Sequence, residues 1–100
     1  MIAPGDIAPR RDTDSTIYVV VLSNSIHIAA DTGRIIVCPY IPGPIPEGTM
    51  AMVVAVGKPE GVALPELVQW LPVTALDDPI GNIGAEALRQ AVGLMTALIT

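Results

Sequence analysis

Ile17-Tyr18-Val19-Val20-Val21-Leu22 is an unbroken, largely β-branched run, set between Ser15-Thr16 and Ser23-Asn24. It has strand length, and its lack of polar alternation predicts a strand buried on both faces. Ile35-Ile36-Val37-Cys38 repeats the pattern after Gly33, and Pro39 is expected to end that strand or put it at an edge. Between the two, Asn24 to Asp31 suits a short helix or an irregular link. Pro39 to Gly48 holds four prolines and two glycines, which predicts a structured loop. Met50 to Val56 resumes a strand, Gly57-Lys58-Pro59-Glu60-Gly61 is a turn, and Val62 to Leu71 is a return strand interrupted by Pro65. Pro72 closes that strand, and Asp77-Asp78-Pro79 is a further turn. Upstream, Ile2 to Ala8 is expected to be a first strand with Pro4 at its edge.

The last segment changes period. Ala85 to Ile99 has no proline, follows Gly84, and carries Glu86 near the positive end of the helix dipole. Leu88, Ala91, Val92, Met95, Leu98 and Ile99 recur at helical spacing, and Ala87 and Leu94 widen the apolar arc. Arg89, Gly93 and Thr96 hold the opposite side. Such an arc either caps the barrel alone or also forms a shared surface between two copies. For the second use the expected contact residues are Leu88, Val92, Met95, Leu98 and Ile99. Strands in succession without helical crossovers, then one helix, predict an α+β fold, mainly β. It is an antiparallel barrel or sheet with a C-terminal α-helix, one domain over residues 1–100.

Composition narrows the function. The chain of 100 residues is 51% hydrophobic and only 15% charged, a surplus of apolar surface that points to a subunit interface. Net charge is −5, with Arg10, Arg11, Arg34, Lys58 and Arg89 the only basic residues. No broad basic face exists to release counterions from a nucleic acid, so RNA contact is disfavoured except at a local patch. No apolar run reaches the roughly 20 residues of a membrane helix. The opening Met1 to Asp6 lacks the basic start and apolar core of a signal peptide, and cytoplasmic residence is expected. One cysteine and one histidine offer neither a disulfide nor a metal cluster, so no metal or cofactor is expected.

Few residues stand out chemically. His27 is a candidate base or a locally bonded side chain. Cys38 lies in an apolar strand, where a thiol is inert. Ser23 ends the first long strand without an identified base. Trp70 either stacks on a base or fills a core or interface. Arg10 and Arg11 are the candidate catalytic groups, since a guanidinium clamps a phosphodiester and stabilises its developing charge. The alternative is a solvated turn in which Asp12 and Asp14 pair with them.

The order of these pieces resembles the MazF/PemK/Kid family of toxins, ribosome-independent endoribonucleases. Gly5-Asp6-Ile7 is similar to its opening Gly-Glu-Ile strand, and Val19-Val20-Val21-Leu22-Ser23-Asn24 closely resembles its Val-Val-Val-Leu-Ser-Asn strand. Ile35-Ile36-Val37-Cys38-Pro39, Leu67-Val68-Gln69, Ile83-Gly84-Ala85-Glu86-Ala87-Leu88 and Leu94-Met95-Thr96-Ala97-Leu98 resemble later segments, with a divergent mycobacterial branch the most similar. The resemblance implies an SH3-like or CcdB-like barrel and a homodimer built partly on the last helix. It also implies a small MazE-like antitoxin as partner, and metal-independent cleavage of single-stranded RNA contacted by Ser23, Asn24 and Gln69. Three positions depart from the family pattern. Ile17-Tyr18 stands where an arginine and a proline are usual, Ile41 replaces a threonine, and Val68 replaces an aspartate. The absent arginine and threonine are the pair implicated in cleavage. Two readings follow: a toxin in which Arg10 or Arg11 replaces the lost arginine, or a non-cleaving module that binds an antitoxin or another partner.

Overall fold

The computed structural model describes residues 2–44 and 52–100. In chain order these form β1 (Asp6–Pro9), β2 (Tyr18–Val21), α1 (Ser25–Ala29), β3 (Arg34–Pro42), β4 (Val54–Gly57), β5 (Glu60–Ala63), a 3-10 turn (Pro65–Leu67), β6 (Gln69–Pro72), a second 3-10 turn (Val73–Ala75), β7 (Gly81–Asn82) and α2 (Gly84–Ile99). Every pairing is antiparallel, in the order β4-β5-β3-β2-β1-β7, and β6 adds a second partner to β3. The sheet curls because β3 is shared: Arg34 to Val37 pair with β6, and Tyr40 to Pro42 pair with β5.

The valine run sits at the centre, and Val19, Val20 and Val21 are fully buried. Alternation sends them to opposite faces. Val20 packs with Ile7, Cys38, Tyr40, Val54, Val56 and Ala91, on the side covered by α2. Val19 and Val21 pack with Ala8, Ile35, Val37, Leu71 and Leu76 on the other side. Burying each valine contributes about 1.5–3 kcal/mol, so this run stabilises both layers at once. Cys38 is fully buried, and that burial pushes its thiol up to about 12.

Four expectations change. Proline at position 4 and the positive φ of Gly5 (84°) make a turn, so the first strand begins at Asp6 and runs to Pro9. A side chain at Gly5 would also press on Asn82, whose Oδ1 would lie 2.9 Å from an added Cβ. Pro39 does not end its strand: β3 continues through Tyr40 to Pro42. In a strand, one residue's nitrogen and carbonyl point the same way. The Pro39 carbonyl accepts from the Leu64 N–H at 3.0 Å, so its nitrogen faces the junction between β5 and β6, where no donor is required. The remainder of the loop, from residue 45 to Gly48, lies outside the described residues. The strand expected over Met50 to Val56 is β4, Val54–Gly57, and Met50 and Ala51 are likewise outside. The Val62-to-Leu71 strand is two strands, because Pro65 opens a 3-10 turn that hands the chain from one half of β3 to the other.

The helix forms as its periodicity predicts. Asn82 anchors its start, accepting from the Gly84 N–H (2.8 Å) while its amide donates to the Pro4 carbonyl (3.0 Å) and Asp6 Oδ1 (3.0 Å). Ala91 is fully buried. Leu88, Val92 and Met95 pack partly on the core, whereas Leu98 and Ile99 are 44% and 75% exposed. Among the described residues, no helix is long and apolar enough to cross a membrane.

Candidate functional site

The sequence-predicted residues fall into two places rather than one. At one end of β2, the Arg10 N–H donates to the Ile17 carbonyl at 2.8 Å, and Pro9 and Tyr18, then Tyr18 and Tyr40, are cross-strand partners. Continued by one residue, this register puts Arg10, Ile17 and Ile41 abreast on one face. Arg10 and Ile41 are then about 10 Å apart, two strand spacings. Thr16, Ile17, Tyr18, Pro39, Tyr40, Ile41 and Pro42 line a hollow of about 260 Å³ there. The two places that family resemblance gives to arginine and threonine therefore do come together, but both as isoleucines, Ile17 and Ile41, at an apolar hollow.

Arg10 borders this row. Its Nε and Nη2 donate to the Asp12 carboxylate at 2.9 and 2.8 Å. The hydrogen bond from Arg10 holds the Asp12 carboxyl below its usual range, and Asp12 in turn raises the guanidinium. Arg11 is committed elsewhere: Nε and Nη2 both donate to the Leu76 carbonyl, at 3.1 and 2.7 Å, and tie the β1–β2 loop to the chain after the second 3-10 turn. Asp14, the other expected partner, makes no ion pair among the described residues.

Ser23, Asn24 and Gln69 lie at the other end of β2, roughly 20 Å away by strand rise. Ser23 is buried, accepts from the Ile36 N–H at 2.7 Å, and sits 2.7 Å from His27 Nδ1. Asn24 caps α1, its Oδ1 accepting from the His27 N–H at 2.9 Å. Gln69 pairs with Val37 and Trp70 with Ile36. Trp70 is not a core residue: it is 59% exposed and meets the His27 ring edge to face, centroids 5.6 Å apart at 78°. The pairing of Ser23 with His27 escaped the sequence reading, which left Ser23 without a base. The signal was the spacing of four, which a helical turn started by Asn24 brings onto one face. Among the described residues, no three His, Cys, Asp or Glu side chains gather as metal ligands.

A curled antiparallel half-barrel closed by a C-terminal helix is the architecture of MazF-type toxins. The chain belongs to the type II toxin–antitoxin system toxin Rv0299 family, whose model matches residues 5–98. It is 64% identical over 99 residues, 99% of this chain and 99% of the relative, to Toxin Rv0299 of Mycobacterium tuberculosis (strain ATCC 25618 / H37Rv). Two solved structures carry the same fold at lower identity. MazE-MazF from Deinococcus radiodurans matches with TM-score 0.80 and 17% identity, over 98% of this chain and 94% of that one. A mycobacterial endoribonuclease in complex with its cognate antitoxin matches with TM-score 0.78 and 16% identity, over 98% and 95%.

Proposed function

We propose that this toxin is a cytoplasmic, single-domain endoribonuclease that cleaves single-stranded RNA as a homodimer and is silenced by a MazE-like antitoxin. The observation that carries the catalytic part is the row Arg10–Ile17–Ile41. Arg10 stands one strand from the place to which the family resemblance gives an arginine, on the same face, with Ile17 between it and Ile41. Asp12 keeps its guanidinium charged and oriented. An incoming phosphodiester displaces that carboxylate, and the guanidinium then stabilises the charge that builds as the ribose 2′-hydroxyl attacks its own phosphate. The dimer reading is supported by α2, whose Leu98 and Ile99 remain in water while Leu88, Val92 and Met95 border them half-covered. The antitoxin reading is supported by the complexes seen for structural neighbours.

Removing one donor to a developing oxyanion costs roughly 10²–10³ in rate. Purified Arg10→Ala should lose about that much RNA cleavage, while Arg11→Ala, which breaks only the Leu76 tether, keeps most of it. A folded Arg10→Ala/Arg11→Ala double variant that cleaves RNA and arrests growth like the parent refutes the assignment. The apolar lining of the hollow favours one rival, a non-cleaving module that acts by binding a partner. It requires that the parent protein itself leaves RNA intact under all conditions while still binding its antitoxin.

A further inference from the structure

We propose that Trp70, His27 and Arg34 form a nucleotide subsite for single-stranded RNA, with a base stacked on Trp70 and a phosphate held by His27 and Arg34. This rests on the RNA reading above and adds three side chains of this chain to the end of β2 opposite Arg10, beside Ser23, Asn24 and Gln69, which the family resemblance already connects with RNA.

The geometry is fixed from two sides. Cross-strand pairing of Ile36 with Trp70 and of Arg34 with Pro72 puts Arg34 and Trp70 on one face, two residues out of step. On the α1 side, both the backbone and the ring of His27 are held. Asn24 caps its N–H and Ser23 binds its Nδ1. Ser23 Oγ accepts from the Ile36 N–H and makes its second bond to His27 Nδ1, so Nε2 is the ring nitrogen left turned away from the buried serine. A buried, doubly bonded serine spent on orienting a half-buried imidazole is the mark of a preorganised contact. Arg34 and His27 also border one small hollow, about 40 Å³, shared with Asp31. Among the described residues Arg34 makes no ion pair.

These three groups match the parts of one ligand. An exposed indole face takes a nucleobase, worth roughly 1–3 kcal/mol per base in proteins that bind single strands. An imidazole N–H and a guanidinium suit phosphate oxygens. An apolar peptide would use the indole and leave both donors unmatched. Asp31 offsets part of the Arg34 charge, so recognition here rests on placement rather than on a broad positive field, as the net charge of −5 requires.

Trp70 is the sole tryptophan, so its emission reports the site directly. The full chain is titrated with a 12-nucleotide, mixed-sequence 2′-O-methyl RNA, which cannot be cleaved. Saturable quenching of Trp70 is expected, and His27→Ala and Arg34→Gln should each weaken binding about tenfold. Labelled-RNA anisotropy with Trp70→Leu should show a loss of similar size. If RNA binds without changing Trp70 emission, and Arg34→Gln binds normally, the subsite is wrong while the RNA reading stands. If no RNA binds, both fall. Emission that shifts to the blue as protein concentration rises marks Trp70 as a contact between two copies and overturns the subsite. Quenching by the antitoxin but not by RNA overturns it equally.

Discussion

Gly61 offers the sharpest test of how the helix-side core is built. It lies in β5 opposite Pro42, and the Tyr40 ring crosses directly over its Cα. A methyl group there would overlap the Tyr40 ring and hydroxyl, which are backed by the buried core and cannot swing clear. Tyr40 is 4% exposed, and its hydroxyl donates to the Pro59 carbonyl at 3.0 Å. Gly61→Ala must therefore displace the ring and break that bond. Overpacking of this kind costs about 1–3 kcal/mol, and the hydrogen bond about 1 kcal/mol, giving roughly 2–4 kcal/mol in total. At about 4–8 °C per kcal/mol for a domain this size, Tm should fall by at least about 8 °C. Gly57 is the matched control: it sits in the adjacent strand opposite Glu60, and a methyl there meets nothing within 4 Å. Gly57→Ala should stay within about 0.5 kcal/mol of the parent. Tyr40→Phe should lose about 1 kcal/mol, which separates the bond from the clash. Urea unfolding at one fixed protein concentration reads all three, since self-association would otherwise enter the measured stability. A Gly61→Ala protein as stable as Gly57→Ala would refute the packing argument.

Two further outcomes concern the thiol and the helix. Burial pushes the Cys38 thiol up to about 12 from its usual value of 9.0. The unfolded chain sheds this proton near pH 9 while the native state keeps it, so the contribution is whole below pH 9 and declines as pH rises toward 12. Relative to Cys38→Val, the parent should lose about 1.4 kcal/mol per pH unit in that window, read as the difference between two Tm–pH curves; parallel curves would show an accessible thiol. On α2, Leu98→Glu/Ile99→Glu changes residues that are 44% and 75% exposed in one copy, so folding should be nearly untouched. Sedimentation should shift from dimer to monomer, and an unchanged dimer would place the interface elsewhere.

The elements most legible in the sequence are those whose pattern reflects burial alone. The valine run, the Ile35–Cys38 strand and the C-terminal helix each show their surroundings in their periodicity. Prolines misled in two directions. Pro4 lies in a turn ahead of the strand expected to carry it at its edge, while Pro39 stayed inside one, because its missing N–H faces a junction between two partner strands. That depends on which strands meet there, a long-range fact that local sequence does not carry. The candidate site was half legible for the same reason. Family resemblance named Ser23, Asn24 and Gln69 as RNA contacts without placing them together, and Arg10 stood out as a charge. The row linking Arg10 to Ile17 and Ile41, and the turn that swings His27 back onto Ser23, both require the registers and caps of the folded chain.

The proline at the middle of β3 has a mechanical consequence. On one side of it the strand is bonded to β6, and on the other to β5 and, through it, to β4. With no donor at the joint, the two flanks are spliced end to end rather than sharing one continuous ladder. The β4–β5 hairpin and β6 therefore hold to β3 through separate ladders, and what joins them across the splice is the Leu64 N–H to Pro39 carbonyl bond on one edge and the unbroken β2 register on the other.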